Sequence, residues 1–117
     1  MRTVFLGNTG LEVSEVGFGA IPIIRLSLEE AVAVLRRALE KGVNFFDTAH
    51  VYVDSEEKIG RAFEGVRERL VLATKTLKRD QKGAQEDLEL SLKRLRTDYL
   101  DLYQLHIEGI LELFRLL

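Results

Sequence analysis

The chain has 117 residues, of which 46% are hydrophobic and 31% charged, a composition typical of one globular domain with a hydrophobic core. The formal net charge is -2 and the basic residues are spread among acidic ones, which argues against nucleic acid as a partner. Cysteine is absent, which excludes disulfides and thiolate chemistry, and no apolar run reaches the roughly 18 residues of a membrane span. We therefore expect a cytoplasmic protein with no membrane partner, organised as a single domain over residues 1–117.

Two short β-like runs open the chain. Residues 3–6 and 11–16 flank the sequence GNTG, whose glycines and asparagine suit the positive φ angles of a tight turn. This pattern predicts a β-hairpin. A further apolar run follows, and we expect its strand to end near Gly19, because Gly19 and Pro22 interrupt it.

The most regular helical pattern follows this first strand. Apolar residues recur at helical spacing between Leu28 and Leu39. Ser27 and Glu30 have the spacing of a capping box, and Gly42 is a typical stop signal. The sequence therefore predicts a helix that begins after Ser27 and ends before Gly42.

Strand-like runs then alternate with amphipathic helical segments. The runs are VNFFD (43–47), LVLATK (70–75) and YLDLYQLH (99–106), and the first is followed by a helix beginning near Asp54 or Ser55. A last helical pattern covers residues 107–117. Short apolar strands separated by amphipathic helices are typical of βα units with a parallel sheet. We therefore predict an α/β fold.

Polar residues stand where three of these strands end. Asp47, Lys75 and His106 are about 30 residues apart, which is the length of one βα unit. Since the carboxyl ends of parallel strands meet at one rim of a sheet, we expect the three side chains to converge there. Tyr52 follows Asp47 closely, and His50 between them is interpreted as loop lining. The histidines do not have metal-ligand spacing with the acids, so we predict no metal site.

Together these segments resemble the aldo-keto reductases. The resemblance is carried by FLGNTGLEVSEVGFGA, GVNFFDTAHVYVDSEEKIGRAF, VLATK and SLKRLRTDYLDLYQLH, which occur in the order and spacing of that family and cover residues 3–106. It implies a parallel (β/α) half-barrel, the N-terminal part of a TIM (β/α)8 barrel preceded by a β-hairpin. It also implies NADPH-dependent, or NADH-dependent, reduction of aldehydes or ketones to alcohols, with a small carbonyl compound as substrate.

The same resemblance implies roles for individual residues. The catalytic tetrad of the family matches Asp47, Tyr52, Lys75 and His106. Gly19, Ala20 and Asp47 stand where the family contacts the nicotinamide and its ribose.

These residue types also suit the chemistry. Reduction of a carbonyl by hydride transfer leaves a developing alkoxide that needs a proton, and the hydride must come from a cofactor. A phenol, with an ordinary pKa of about 10, becomes a better proton donor beside an ammonium that stabilises the phenolate. We therefore expect Tyr52 to donate the proton beside Lys75, with Asp47 orienting Lys75 and His106 orienting the substrate oxygen. The resemblance also implies that Glu56, in the SE of the family signature, braces the loop.

Two departures from the family pattern change the expectations. Val53 stands where the family usually has glycine after the tyrosine, and a β-branched residue disfavours positive φ, so the loop carrying Tyr52 is expected to differ. A complete (β/α)8 barrel needs about 250 residues, so most of the family's cofactor-binding half is expected to be missing from this chain. We expect weak or undetectable turnover by the chain alone.

Two other functions stay open. The first is a catalytically inactive half-barrel that acts as an assembly or interaction module, self-associating through exposed strand edges and the C-terminal helix. The second is a different enzyme of βα type with a phosphate-bearing ligand, although GFGAIP matches a glycine-rich phosphate loop poorly.

Overall fold

The computed structural model describes residues 1–106 and arranges them as a hairpin followed by βα units. The strands and helices are β1 (Thr3–Phe5), β2 (Glu12–Ser14), β3 (Phe18–Gly19), α1 (Leu28–Glu40), β4 (Phe45–Asp47), α2 (Ser55–Ala62), β5 (Val71–Thr76), α3 (Gln81–Leu95) and β6 (Leu102–Leu105). Short 3-10 turns lie at Pro22–Arg25 and Arg67–Arg69. The helical pattern predicted for residues 107–117 lies outside the described residues.

The N-terminal hairpin is confirmed. β1 and β2 pair antiparallel, with Val4 opposite Val13. The connecting turn contains two glycines with positive φ, Gly7 at 53° and Gly10 at 77°, a conformation that costs glycine little.

Helix α1 begins and ends where its local signals predict. The side chain of Ser27 accepts a hydrogen bond from the Glu30 amide, and the Glu30 carboxylate accepts one from the Ser27 amide. This is a complete capping box, which satisfies two backbone donors at the helix start. Beyond the helix, Gly42 has a φ of 99°.

The four later strands form one parallel sheet, as the alternating pattern predicts. Their order is β3-β4-β5-β6, and all three pairings are parallel. Each strand is thus followed in space by the next strand in sequence, which is the arrangement of the first units of a (β/α)8 barrel. Within residues 1–106, β3 and β6 are the two edges of this sheet.

The hydrophobic core lies between this sheet and the helices. Phe46 is fully buried at its centre, with its ring centroid 5.6 Å from that of Phe18 and 4.7 Å from that of Phe63. The other buried members are Ala20, Ile23, Ala31, Leu35, Val43, Ile59, Ala62, Leu70, Leu72 and Leu95. One face of the sheet is therefore covered by α1, α2 and α3, and alternate strand residues belong to the opposite face.

Helix α2 is attached to the turn after β3 by a buried lysine. The ammonium of Lys58 donates to the carboxylate of Asp54 at 2.9 Å and to the carbonyl of Ile23 at 3.0 Å. The Lys58 side chain is only 4% exposed, so these acceptors replace the water that a buried ammonium loses.

No helix within residues 1–106 has the length and apolarity needed to span a bilayer.

Candidate active site

The alternation of strand side chains separates the polar candidates from the core. On β5, the hydroxyl of Thr74 donates to the carboxylate of Glu56 on α2. On β6, the hydroxyl of Tyr103 donates to the carbonyl of Ala84 on α3. These residues therefore belong to the helix-covered face, and their sequence neighbours belong to the other face.

The opposite face of the sheet carries Asp47, Lys75 and His106. Asp47 is the last residue of β4, Lys75 is near the end of β5, and His106 directly follows β6. All three lie at the carboxyl ends of parallel strands. The rim predicted from their spacing is therefore present, and it brings three residues from three strands together.

An ion pair joins two of these residues. The ammonium of Lys75 donates to the Asp47 carboxylate at 2.9 Å and to the backbone carbonyl of Thr48 at 2.6 Å. The Lys75 side chain is 12% exposed and that of Asp47 is 41% exposed. Lys75 is therefore largely removed from water and held by two acceptors, whereas its carboxylate partner still faces solvent.

Tyr52 has both Lys75 and His106 as neighbours. The Lys75 ammonium is 5.4 Å from the centroid of the Tyr52 ring, and the His106 ring is 5.7 Å from it at an angle of 82°. The loop is held by hydrogen bonds from the His50 amide to the Lys75 carbonyl and from the Ser55 amide to the Tyr52 carbonyl. All four residues of the predicted tetrad are thus neighbours in space.

His106 is buried at this site, with 9% of its surface exposed. Its amide donates to the Thr76 carbonyl at 2.8 Å, and its carbonyl accepts from the Arg79 guanidinium at 2.6 Å. Within residues 1–106, its Nδ1 atom has no hydrogen-bond partner. Since buried polar atoms are normally paired, this ring nitrogen has unused hydrogen-bonding capacity inside the site.

Val53 adopts the conformation that its side chain disfavours. Its φ is 44°, which is in the left-handed region, and the residue is 74% exposed. Val53 thus adopts a positive φ where the family usually has glycine, because hydrogen bonds on either side, from Val53 to Val51 and from Ser55 to Tyr52, close the turn. The expected difference of this loop from that of the family stays a prediction.

A buried carboxylate braces the loop, as expected for Glu56. Its side chain is 2% exposed and accepts hydrogen bonds from Thr74 at 2.7 Å and from Arg94 at 3.2 Å. Arg94 also donates to the carbonyl of His50 in the Tyr52 loop. The pair therefore links the loop to α2, α3 and β5.

His50 differs from its interpretation as loop lining. Its ring contacts α3, with Nε2 3.4 Å from an Asp87 oxygen and Nδ1 3.4 Å from the Ser91 hydroxyl. The Asp87 carboxylate also accepts from the Thr76 hydroxyl at 2.6 Å. His50 thus attaches the loop to α3.

No cluster of three or more acidic or histidine side chains suited to a metal ion occurs in the described part of the chain.

The residues expected at the cofactor lie beside Asp47. Gly19 is directly opposite Asp47 across the β3–β4 pair, and the amide of Ala20 donates to the Asp47 carbonyl at 2.9 Å. Gly19 is exposed, and a Cβ atom added to it would meet nothing within 4 Å. Ala20 is fully buried. A flat ring could therefore approach the backbone at Gly19, which fits the nicotinamide that the resemblance implies.

Sequence interpretation missed Gln104. This residue is on β6, two positions before His106, and its side-chain amide donates to the Asp47 carboxylate at 3.1 Å. The period of two along a strand was the available signal, because residues 104 and 106 share a face.

A cavity of about 590 Å³ lies remote from these residues. It is lined by Arg67, Lys93, Arg96 and Tyr99 at the amino end of β5 and β6. The candidate site is identified by its convergent polar groups and not by a cavity, because polar side chains at the carboxyl ends of parallel strands are typical of the sites of (β/α)8 folds.

Comparison with known proteins agrees with this geometry. The sequence model of the aldo/keto reductase family matches residues 15–109. The uncharacterized oxidoreductase YqkF of Bacillus subtilis is 38% identical over 120 residues, covering 91% of this chain and 39% of that protein. The methylglyoxal reductase DkgA of Salmonella typhimurium is 38% identical over 107 residues, covering 89% of this chain and 38% of that protein.

A solved structure gives the same fold. The aldo-keto reductase from Klebsiella pneumoniae in complex with NADPH superposes with a TM-score of 0.76 at 32% identity, covering 89% of this chain and 42% of that chain. The sequence therefore spans about two fifths of the length of the proteins it matches.

Proposed function

Because the chain belongs to the aldo/keto reductase family, we propose that it supplies the catalytic residues for NADPH-dependent reduction of aldehydes or ketones to alcohols. One observation carries the proposal: the Lys75 ammonium and the His106 ring both lie close to the Tyr52 ring, 5.4 Å and 5.7 Å from its centroid. This is the arrangement that a proton donor needs if one neighbour is to activate it and another is to orient the substrate.

Tyr52 is the proposed proton donor. A nicotinamide cofactor held at Gly19 and Asp47 would supply the hydride for the carbonyl carbon. The Tyr52 hydroxyl gives its proton to the oxygen of that carbonyl, and the Lys75 ammonium stabilises the phenolate that remains. Asp47 and the Thr48 carbonyl fix the ammonium, so Lys75 does not have to reorganise during the reaction.

His106 is the proposed orienting group for the substrate. Its ring lies edge-on to the Tyr52 ring and has a nitrogen without a partner in the described part of the chain. A hydrogen bond from the ring to the carbonyl oxygen would hold that oxygen within reach of the Tyr52 hydroxyl. Holding reactants in position is one of the largest contributions to enzymatic rate.

The cofactor is proposed to meet the chain at β3 and β4. Gly19 and Asp47 would face the nicotinamide and its ribose, with Ala20 buried behind them. Preference for NADPH over NADH is supported by the NADPH bound to the Klebsiella pneumoniae relative. The relatives are longer than this chain, so residues outside it are proposed to hold the rest of the cofactor.

A small carbonyl compound is the proposed substrate, and the name of the relative DkgA makes methylglyoxal the first compound to test. The cytoplasm stays the predicted compartment. Nothing observed on residues 1–106 favours the alternative of an inactive interaction module, and self-association stays a prediction. The family assignment does not support a phosphate-binding enzyme of another class.

The test replaces the proposed proton donor. We join this chain to the part of DkgA that follows the aligned region, and measure methylglyoxal-dependent oxidation of NADPH. We expect Tyr52→Phe to lower kcat by about 100-fold or more, because general acid catalysis contributes about 10²- to 10⁴-fold. For the isolated chain, we expect weak or undetectable turnover.

Tyr99→Phe is the matched control. Tyr99 is exposed and contacts Arg67 through its ring, which phenylalanine retains. We expect this variant to keep the parent activity. Turnover that survives Tyr52→Phe would contradict the proposed role of Tyr52.

A further inference from the structure

Gln104 occupies a special position in the sheet. It is directly opposite Lys75 across the β5–β6 pair, and β6 is the next strand after the two that carry Asp47 and Lys75. Cross-strand partners have side chains on the same face of a sheet. Gln104 therefore belongs to the face that carries the proposed tetrad.

The two oxygens of the Asp47 carboxylate accept hydrogen bonds from two different donors. The Gln104 amide donates to Oδ1 of Asp47 at 3.1 Å, while the Lys75 ammonium donates to Oδ2 at 2.9 Å. With both oxygens held, the plane of the carboxylate is fixed. Lys75 alone would leave Asp47 free to rotate toward solvent, because the Asp47 side chain is 41% exposed.

We infer that Gln104 is a positioning residue, whose side-chain amide fixes Asp47 so that Lys75 stays beside Tyr52. The inference rests on the proposed function. An ammonium has three donor hydrogens, and two of those on Lys75 go to Asp47 and the Thr48 carbonyl. The third is left for Tyr52, and its direction depends on where the other two are held.

The competing explanation is an incidental surface contact. Gln104 is exposed, and exposed polar contacts often contribute nothing measurable. The two explanations differ in where the effect appears. A positioning residue acts on the proton donor in the transition state and lowers kcat, whereas an incidental contact changes neither kcat nor the environment of the amide.

The first experiment observes the hydrogen bond directly in the isolated chain. In a ¹H–¹⁵N spectrum, we expect one Nε2 proton of Gln104 to be shifted downfield and to exchange more slowly than those of Gln81, which is exposed at the start of α3. Asp47→Ala should return the Gln104 signal to the position seen for Gln81. Equal Gln104 and Gln81 signals in the unchanged chain would overturn the inference, even if Asp47→Ala fails to fold.

The second experiment measures kinetics in the fusion with DkgA. Gln104→Met keeps the length of the side chain and removes the donor, and we expect kcat to fall about tenfold while KM for NADPH changes by less than about twofold. We expect Gln104→Glu to lower kcat further, because a second carboxylate beside Asp47 competes for the Lys75 ammonium. Gln81→Met is the control and should leave both constants unchanged.

The two proposals fail in different ways. If Tyr52→Phe abolishes turnover and Gln104→Met does not lower kcat, the role of Gln104 is wrong and the proposed function stands. If Tyr52→Phe leaves turnover intact, the proposed function fails whatever Gln104 does. If the fusion has no turnover, the amide signal of Gln104 still decides whether it holds Asp47.

Discussion

At the scale of single residues, Lys75 shows how this site is assembled from distant parts of the chain. Its ammonium is largely removed from water and needs acceptors, because an unpaired buried charge is costly. Both acceptors, the Asp47 carboxylate and the Thr48 carbonyl, come from the end of the neighbouring strand. The pairing of β4 with β5 therefore determines the geometry of the ion pair.

Val53 gives a prediction at the same scale. Its positive φ of 44° costs a β-branched residue about 1–3 kcal/mol, and its exposed side chain contributes little burial in return. Glycine removes the strain but is more flexible in the unfolded chain, which costs about 0.5–1 kcal/mol. We expect Val53→Gly to raise the free energy of unfolding by about 1 kcal/mol, as measured by urea denaturation.

Val51→Gly is the control for this prediction. Val51 is in the same loop and is also exposed, but its φ is not in the left-handed region. We expect this variant to lose about 0.5–1 kcal/mol through the entropy of glycine alone. A loss of stability in Val53→Gly similar to that in Val51→Gly would show that the turn is not strained.

At the scale of elements, the start of α1 is fixed by a local signal. Ser27 and Glu30 exchange hydrogen bonds with each other's amides. Hydrogen bonds between the Glu30 carboxyl group and Ser27 lower the pKa of Glu30 from its ordinary value of 4.5. The bond to the Ser27 backbone has the larger effect and the bond to the Ser27 side chain the smaller. A carboxyl group with a lowered pKa stabilises the fold above its ordinary pKa, and the effect is lost as the pH falls through the folded-state value.

Ser27→Ala tests this capping box. We expect it to lower the free energy of unfolding by about 1 kcal/mol at pH 7, because an N-cap side chain is lost. The difference from the unchanged chain should shrink as the pH falls below 4.5, since protonation of Glu30 then removes from the unchanged chain an interaction with the Ser27 side chain that Ser27→Ala already lacks. The measurement is the free energy of unfolding of both chains across this pH range.

Glu29→Gln is the control, since Glu29 lies in the same first turn but outside the capping box. We expect it to change stability by less than about 0.5 kcal/mol. A deficit of Ser27→Ala that stays constant from neutral to acid pH would contradict the coupling to Glu30.

Local signals explain which elements could be predicted from the sequence. The hairpin, α1 and the parallel strands depend on turn glycines, a capping box and apolar periodicity, and each of these acts over a few residues. Asp47, Lys75 and His106 could be predicted to converge because strand ends in a parallel sheet share one rim.

The features that escaped prediction depend on tertiary contacts. Lys58 has the sequence of an exposed helical lysine but is buried, because the Ile23 carbonyl and Asp54 accept from it. Gln104 contacts Asp47 only through the pairing of three strands. Val53 keeps a disfavoured φ because the surrounding turn imposes it. None of these can be seen in a local window of sequence.

At the scale of the whole molecule, the two ends of the sheet differ in their proposed roles, catalysis at one and stability at the other. The proposed catalytic groups lie at the carboxyl ends of β4, β5 and β6. At the amino ends, Arg67 donates to the Asp101 carboxylate at 2.9 Å and to the carbonyls of Tyr99 and Leu70. Asp101 also accepts from the Leu72 amide at 2.8 Å. This network joins the starts of β5 and β6, where a (β/α)8 fold typically carries stability.

Arg67→Met tests whether stability can be lowered without changing the geometry of the site. The side chains of Arg67 and Asp101 are only 15% and 16% exposed, so the variant leaves a largely buried carboxylate with fewer donors. We expect the free energy of unfolding to fall by about 2–3 kcal/mol, while the Gln104 amide signal that reports the opposite rim stays unchanged. Arg69→Met, in the same turn but exposed, should change stability by less than about 0.5 kcal/mol. A shift of the Gln104 signal in Arg67→Met under native conditions would show that the two ends of the sheet are coupled and that stability and site geometry cannot be changed independently.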